Sequence, residues 1–237
     1  MAPSAHLLLL TYTPREDVDE RGYDDWVRDV DNPFWMGVPG IVHYTSWKIA
    51  RPLVGSVPFT HLDLMFLDGP DGFERVFGRQ DAIDFAREWC DLWGATPDAD
   101  DLAASNAEMH LFEPVEARPD HWRRTDTLVA SFLAPSPTGD GDPGTWHREV
   151  AWPAISSRPG VASLTGWSLA AAKVGPASFT RLSLLFLDDP AALAGLAADP
   201  EVMQVADRWL DRFGPGGDAG LASALPTVLC ELIAAPD

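Results

Sequence analysis

Residues 59–68 read FTHLDLMFLD and residues 179–188, 120 positions later, read FTRLSLLFLD. The three differences, His61/Arg181, Asp63/Ser183 and Met65/Leu185, alternate with matching positions. Such alternation belongs to a strand, where successive side chains point to opposite faces. One face is therefore common to the two stretches and the other has diverged. Working outward, the same offset holds without a gap from 26–94 against 146–214, with 23 of 69 positions identical. Trp26/Trp146, Pro39-Gly40/Pro159-Gly160, Trp47/Trp167, Trp89/Trp209 and Gly94/Gly214 are among them. Self-similarity at a fixed offset over this length reads as an internal duplication. Upstream, Thr11-Tyr12 answers Ser131-Phe132.

Each copy resolves into the same elements. In the first, Leu7–Thr13 is a short apolar run closed by Pro14, a strand. Tyr23–Met36 is a helix after an acidic turn, Ile41–Ala50 a strand after Pro39-Gly40, and Phe59–Leu67 a strand closed by Asp68-Gly69-Pro70. Asp71–Trp93 carries apolar residues at helical spacing, with a break near Gly78 and an end at Gly94. Ala107–Glu113 is the last strand. The order β-α-β-β-α-β is the split βαβ, or ferredoxin-like, plan. The polar, proline-bearing stretch Pro114–Asp126 separates a first unit, 1–116, from a second, 125–237, and Pro135–Gly144 reads as a loop inside the second.

Composition narrows the function. The chain carries 17 Lys and Arg against 36 Asp and Glu, a net charge of −19, which repels nucleic acid and anionic membrane surfaces. No apolar run approaches the roughly 20 residues of a membrane helix, and the Leu7–Leu10 run lacks the flanks of a signal peptide. Two distant cysteines, Cys90 and Cys230, fit neither a metal motif nor a disulfide framework and point to a reducing cytoplasm. No phosphate-cradling glycine loop and no G-x-S-x-G elbow occurs, so nucleotide cofactors and serine hydrolysis have no support.

The element order, the Trp-bearing first helix, the Pro-Gly before the second strand and the duplication resemble the dimeric α+β barrel superfamily. That group holds EthD-like proteins, antibiotic-biosynthesis monooxygenases and polyketide cyclases. The resemblance implies an α+β fold in which two tandem ferredoxin-like βαββαβ repeats form a pseudo-dimeric barrel with their sheets facing each other, as a monomer or weak homo-oligomer. The EthD-like pattern has His-x-Pro in the first helix; here Trp26-Val-Arg-Asp-Val-Asp31-Asn-Pro33 puts Asp31 at the His position, and Ala151 stands there in the second copy. Asp31 reads as solvated or helix-associated rather than catalytic.

The common face, Leu62, Leu64 and Phe66, is expected to pack on the helices, and the diverged face, His61, Asp63 and Met65, to line a lumen. A hairpin whose paired numbers sum to 108 sets Trp47 opposite His61, Thr45 opposite Asp63 and His43 opposite Met65, all on one face. The second copy offers Ser163, Thr165, Trp167, Arg181, Ser183 and Leu185. His61 and Asp63, two residues apart on a strand, form the expected acid–base pair, the carboxylate orienting the ring. His43 and Tyr12 complete the catalytic candidates, with Tyr44 a further hydroxyl donor that fits packing equally well; Trp47, Thr45, Met65, Trp167, Thr165, Arg181 and Ser183 are the substrate-binding ones. Two His and one carboxylate also match a non-haem iron ligand set, but no metal and no organic cofactor are expected. These residues point to a small-molecule enzyme, of the kind found in secondary metabolism, doing cofactor-independent cyclisation, aldol-type closure, isomerisation or elimination on a mostly apolar substrate. A cofactor-free monooxygenase and a non-catalytic ligand-binding or stress protein are the alternatives. Only the first copy carries titratable proton-transfer groups, so one centre, in the N-terminal half, is expected.

Overall fold

The computed structural model describes residues 6–95, 107–115, 125–133, 143–213 and 227–236. The first half contains β1 (His6–Tyr12), α1 (Tyr23–Trp26), a π-helical turn (Val27–Asp31), α2 (Asn32–Gly37), β2 (Ile41–Val54), β3 (His61–Leu67), α3 (Gly72–Phe77), α4 (Gln80–Trp93) and β4 (Glu108–Pro114). The second contains β5 (Thr127–Leu133), α5 (Pro143–Trp146), a π-helical turn (His147–Ala151), α6 (Trp152–Ile155), β6 (Val161–Val174), β7 (Arg181–Leu187), α7 (Ala191–Ala198), α8 (Pro200–Phe213) and β8 (Thr227–Ala234). The bounds of β2, β3 and α4 recur 120 residues later as β6, β7 and α8. Most of the linker stretch and most of the second-copy loop read from the sequence lie outside the described residues.

The eight strands close into an antiparallel barrel in the order β1-β3-β2-β8-β5-β7-β6-β4. Two ladders, β2–β8 and β4–β6, join the halves. Closure leaves no sheet edge open. Helices cover the outer surface. Gly40 and Gly160 turn the chain from helix to strand with φ of +105° and +80°, a backbone region that disfavours a Cβ. This accounts for the Pro-Gly at both places.

The two faces of β3 are the reverse of the expectation. Leu62, Leu64 and Phe66 point into the barrel, where they meet Leu182, Leu184 and Phe186 of β7, with Leu7, Leu9, Trp47, Phe112, Phe132 and Trp167. The barrel interior is thus a packed core built from both halves, and not a lumen walled by polar groups. His61, Asp63 and Met65 face the helices. The cause is local. The sum-108 pairing holds at Ile41↔Leu67, but a β-bulge between Ile41 and His43 moves the rest of the ladder by one: His43↔Phe66, Thr45↔Leu64, Ser46↔Asp63, Trp47↔Leu62 and Lys48↔His61. An extra residue in one strand shifts every later side chain to the other side relative to its partner strand. Strand β6 has the same shift between Val161 and Ser163.

Ladder positions also correct one equivalence. Tyr12 pairs with His61 on β3, and Leu133 pairs with Arg181 on β7, so the counterpart of Tyr12 is Leu133 rather than Phe132.

Candidate active site

The outer face of the first half carries a polar cluster inside an apolar layer. Strand β3 supplies Asp63, flanked by Ser46 on β2 and Leu10 on β1. Tyr44 lies two residues before Ser46 on the same face of β2, and Tyr12 ends β1. From the helical side, Asp31 closes the π-helical turn. There the Asn32 N–H reaches back to the Val27 carbonyl, and Pro33 has no N–H with which to restore a tighter pattern. One turn on, Trp35 Nε1–H donates to Asp31 Oδ1 at 3.1 Å.

These groups form one hydrogen-bonded array. The Tyr44 hydroxyl is 2.6 Å from Asp31 Oδ2 and 3.0 Å from Asp63 Oδ2. Ser46 Oγ–H donates to the Tyr44 oxygen at 3.1 Å. Tyr12 O–H donates to Asp63 Oδ1 at 3.0 Å, Tyr23 O–H to the Tyr12 oxygen at 3.0 Å, and Trp89 Nε1–H to the Tyr23 oxygen at 3.3 Å. Both carboxyls are buried, each with 5% of its surface exposed.

Burial dominates the electrostatics. It raises Asp31 to about 8, helped by the neighbouring Asp63 charge and opposed by the hydrogen bonds from Tyr44 and Trp35. It raises Asp63 to about 7, opposed by the Ser46, Tyr44 and Tyr12 hydroxyls beside it. Burial also holds the Tyr12, Tyr23 and Tyr44 hydroxyls well above the usual phenol range, so they stay protonated. Two carboxyls that titrate near neutrality, ringed by neutral donors, can both take and give protons.

A narrow cleft, partly open to solvent, lies against this array. Asp31, Asp63, Tyr12 and Tyr44 form its polar wall, while aromatic and aliphatic side chains, among them Trp35, Phe85 and Met109, form the rest. An apolar cleft with a few converging polar groups is the usual form of a small-molecule site. Among the described residues the second half has no equivalent array. At the matching positions Asp31 becomes Ala151, Tyr44 becomes Leu164, Ser46 becomes Gly166, Asp63 becomes Ser183 and Tyr12 becomes Leu133.

Of the residues proposed from sequence, Tyr12 and Asp63 are brought together. His61 shares their face, its ring stacked on Tyr12 at 5.5 Å, but it makes no pair with Asp63. Its Nδ1 meets Thr60 Oγ1 at 2.9 Å and its Nε2 has no partner. Burial, with Lys48 nearby, pushes His61 down to about 4, so it is neutral at physiological pH. His43, Thr45 and Trp47 lie on the opposite, inward face, as do Thr165 and Trp167. Each indole there donates to the threonine two residues before it at 2.9 Å. Met65 packs in the apolar layer outside the barrel, while Arg181 and Ser183 lie on the outer face of the second half; none of the three lines the cavity. The metal triad His43, His61, Asp63 is split across the sheet, and the described residues gather no three His, Cys, Asp or Glu side chains in a metal-binding group. Asp31 is buried in the site rather than solvated. Asp31 and Ser46 are the functional candidates that sequence reasoning missed, and Tyr44, read only as a further hydroxyl donor, stands at the centre of the array. Their signal was present as loss of a polar group in the second copy, the same signal that marked Asp63.

Among the described residues no helix is long and apolar enough to cross a membrane. No protein-family profile and no curated protein matches the sequence. Solved structures do share the fold. A candidate monooxygenase from Fusobacterium nucleatum superposes with a TM-score of 0.67 at 9% identity, covering 100% of this chain and 96% of its own. An anthrone oxidase-like protein gives 0.57 at 11% identity, covering 98% and 92%. A candidate monooxygenase from Lactobacillus acidophilus gives 0.54 at 8% identity, covering 98% of each chain. At such identities the likeness is one of fold.

Proposed function

We propose that this chain is a small-molecule enzyme that begins by removing a proton from a weakly acidic C–H on a flat, mostly apolar substrate, and that O₂ then oxidises the resulting carbanion without an organic cofactor. The observation that carries this reading is the buried Asp31–Tyr44–Asp63 array at the polar wall of an aromatic cavity, present in one half only. Asp63, the carboxyl with more hydroxyl donors, is the base. A substrate CH₂ gives one proton to it; the carbanion passes an electron to O₂ and combines with the superoxide formed, giving a peroxide. Protonated at its outer oxygen, the peroxide loses water as the second C–H proton leaves. The balance is R₂CH₂ + O₂ → R₂C=O + H₂O, with all four electrons from the substrate. The names of the fold neighbours, two candidate monooxygenases and an anthrone oxidase-like protein, support O₂ as co-substrate. Cyclisation, aldol closure and isomerisation share the first step and need no O₂.

In the same reading the chain is two ferredoxin-like units, 1–116 and 125–237, fused as a pseudo-dimer. The recurrence of β2, β3 and α4 at one offset supports this. Fusion frees one half to lose its site while its barrel wall is kept.

Anthrone serves as the test probe. Oxygen uptake is measured against uncatalysed autoxidation, with ¹⁸O₂ to follow the inserted atom. Uptake above background, ¹⁸O in the ketone and loss of both in Asp63→Asn are expected. Turnover of an enolisable probe that is indifferent to O₂ would favour the cyclase–isomerase reading, and tight binding without turnover would make the site a receptor.

A further inference from the structure

The Tyr44 hydroxyl has one proton and lies within hydrogen-bond distance of two carboxyl oxygens, Asp31 Oδ2 at 2.6 Å and Asp63 Oδ2 at 3.0 Å. It can donate to only one of them. Its oxygen already accepts from Ser46 and has one lone pair left. The remaining carboxyl must therefore carry a proton of its own and donate it to Tyr44, or face that lone pair unpaired in a buried site, which is costly. Two arrangements satisfy every atom. In one, Asp31 is the acid and donates to Tyr44, which donates to the Asp63 carboxylate. In the other, Asp63 is the acid and the chain of bonds runs the opposite way. They differ only in that two protons have each moved along a hydrogen bond.

We infer that Tyr44 is a proton relay that carries a proton between Asp63 and Asp31, so that the two carboxyls act as one unit holding one proton. The inference rests on the acid–base reading of this site and assigns the route it leaves open. The bond Asp63 receives from Tyr12 in either arrangement, together with burial that raises Asp31 further than Asp63, favours the arrangement with Asp63 ionised and Asp31 protonated. In that state Asp63 takes the C–H proton and Asp31 gives its own to the outer peroxide oxygen. Turnover leaves Asp63 protonated and Asp31 ionised. A shift through Tyr44, with one O–H broken at Asp63 and one made at Asp31, restores the start without solvent exchange. The groups acting on the two carboxyls are each other, the hydroxyls of Tyr12, Tyr44 and Ser46 and the Trp35 indole. Tyr23 and the neutral His61 lie behind Tyr12, and Lys48 pairs with Asp19 beyond them. The second half, with Leu164 at the Tyr44 position, has neither the relay nor the carboxyls.

The test needs no substrate. The carboxyl carbons of Asp31 and Asp63 are labelled with ¹³C, assigned with Asp31→Asn and Asp63→Asn, and followed by NMR through a pH titration of the unliganded full chain. A shared proton makes both carbons move in both titration steps. Tyr44→Phe keeps the ring and removes the bridge, so each carbon is expected to follow one step alone, while dispersed amide resonances report an intact fold. Asp31→Asn leaves Asp63 with a single step and serves as the reference for an unshared carboxyl. Carbons that each follow one step in the wild type, or sharing that survives Tyr44→Phe, would overturn the relay. This result is independent of anthrone turnover: sharing without O₂ uptake retains the relay and removes the oxygenase reading, and O₂ uptake without sharing does the reverse.

Discussion

Tyr12 O–H donates to Asp63 Oδ1 at 3.0 Å, although Tyr12 stands opposite His61 in the β1–β3 ladder and Asp63 stands opposite Leu10. The bond crosses the ladder diagonally on its outer face, and long side chains on one face of a sheet do reach such neighbours. It ties the end of β1 to the carboxylate proposed as the base. A hydrogen bond to an ionised group contributes about 1.5–3 kcal/mol, and one pH unit corresponds to roughly 1.4 kcal/mol. Tyr12→Phe is therefore expected to move the acidic limb of the kcat/KM profile up by about one to two pH units. A limb that stays in place would show that Tyr12 does not support the ionised form of Asp63.

Asymmetry gives the second prediction. Asp63→Asn keeps shape and removes the base, and loss of a general base lowers turnover by roughly 10²–10⁴-fold. Ser183→Ala, at the matching position of the second half, is expected to leave kcat unchanged. Steady-state kinetics of the two variants, side by side, makes the comparison. Comparable losses from both would place chemistry in each half.

The order of strands and helices along each half and the helical stretch between β1 and β2 were legible because they depend on patterns that recur over many residues, and the break between α3 and α4 near Gly78 was marked by glycine. The side of the sheet was not. For β2 it turned on one inserted residue, Val42, between Ile41 and His43, and a single bulge leaves alternation intact on both sides of it. Comparing the two copies still identified the diverged face of β3 correctly, since His61/Arg181 and Asp63/Ser183 do face away from the common core. What failed was the assignment of that core to the helices. Both faces of β3 are buried, which is why hydrophobicity alone could not separate them. Asp31 was misread because an acidic residue on a short helix is usually solvated; its burial follows from the π-helical turn and from Tyr44 and Trp35, which lie 13 and 4 residues away.

Stability should depend on pH in a specific window. Folded Asp31 and Asp63 release protons near 8 and 7, whereas the unfolded chain releases them near 3.8. Between those values the folded state binds more protons, so stability falls as pH rises. His61 acts in the opposite sense: it titrates near 4 when folded and near 6.5 when unfolded, so its contribution grows as pH rises across that interval. Below about pH 6.5 the single imidazole offsets roughly half of the effect of the two carboxyls, and only the carboxyl effect remains above it. Thermal denaturation is expected to show Tm declining from about pH 6.5 to 8, with the decline flattened in Asp31→Asn. A Tm rising over that interval would mean that the carboxyls ionise freely in the folded protein.

Trp47 and Trp35 should separate stability from chemistry. Trp47 is inside the barrel, fully buried against Phe186, with its N–H spent on Thr45. It touches neither carboxyl and does not line the cavity. Removing a buried aromatic side chain of this size costs about 3–5 kcal/mol, so Trp47→Ala is expected to lower the unfolding free energy by that amount while the fraction that remains folded keeps its KM. Trp35 lines the cavity and donates to Asp31 Oδ1. Trp35→Phe keeps most of the apolar bulk and deletes that donor, which leaves Asp31 harder to ionise. A small stability change is expected, together with an upward shift of the basic limb of the pH–rate profile, because Asp31 then holds its proton to higher pH. Urea denaturation and pH–rate profiles of the two variants provide both readouts. If Trp47→Ala changed the pH profile and Trp35→Phe did not, the catalytic face of the sheet would be the inner one.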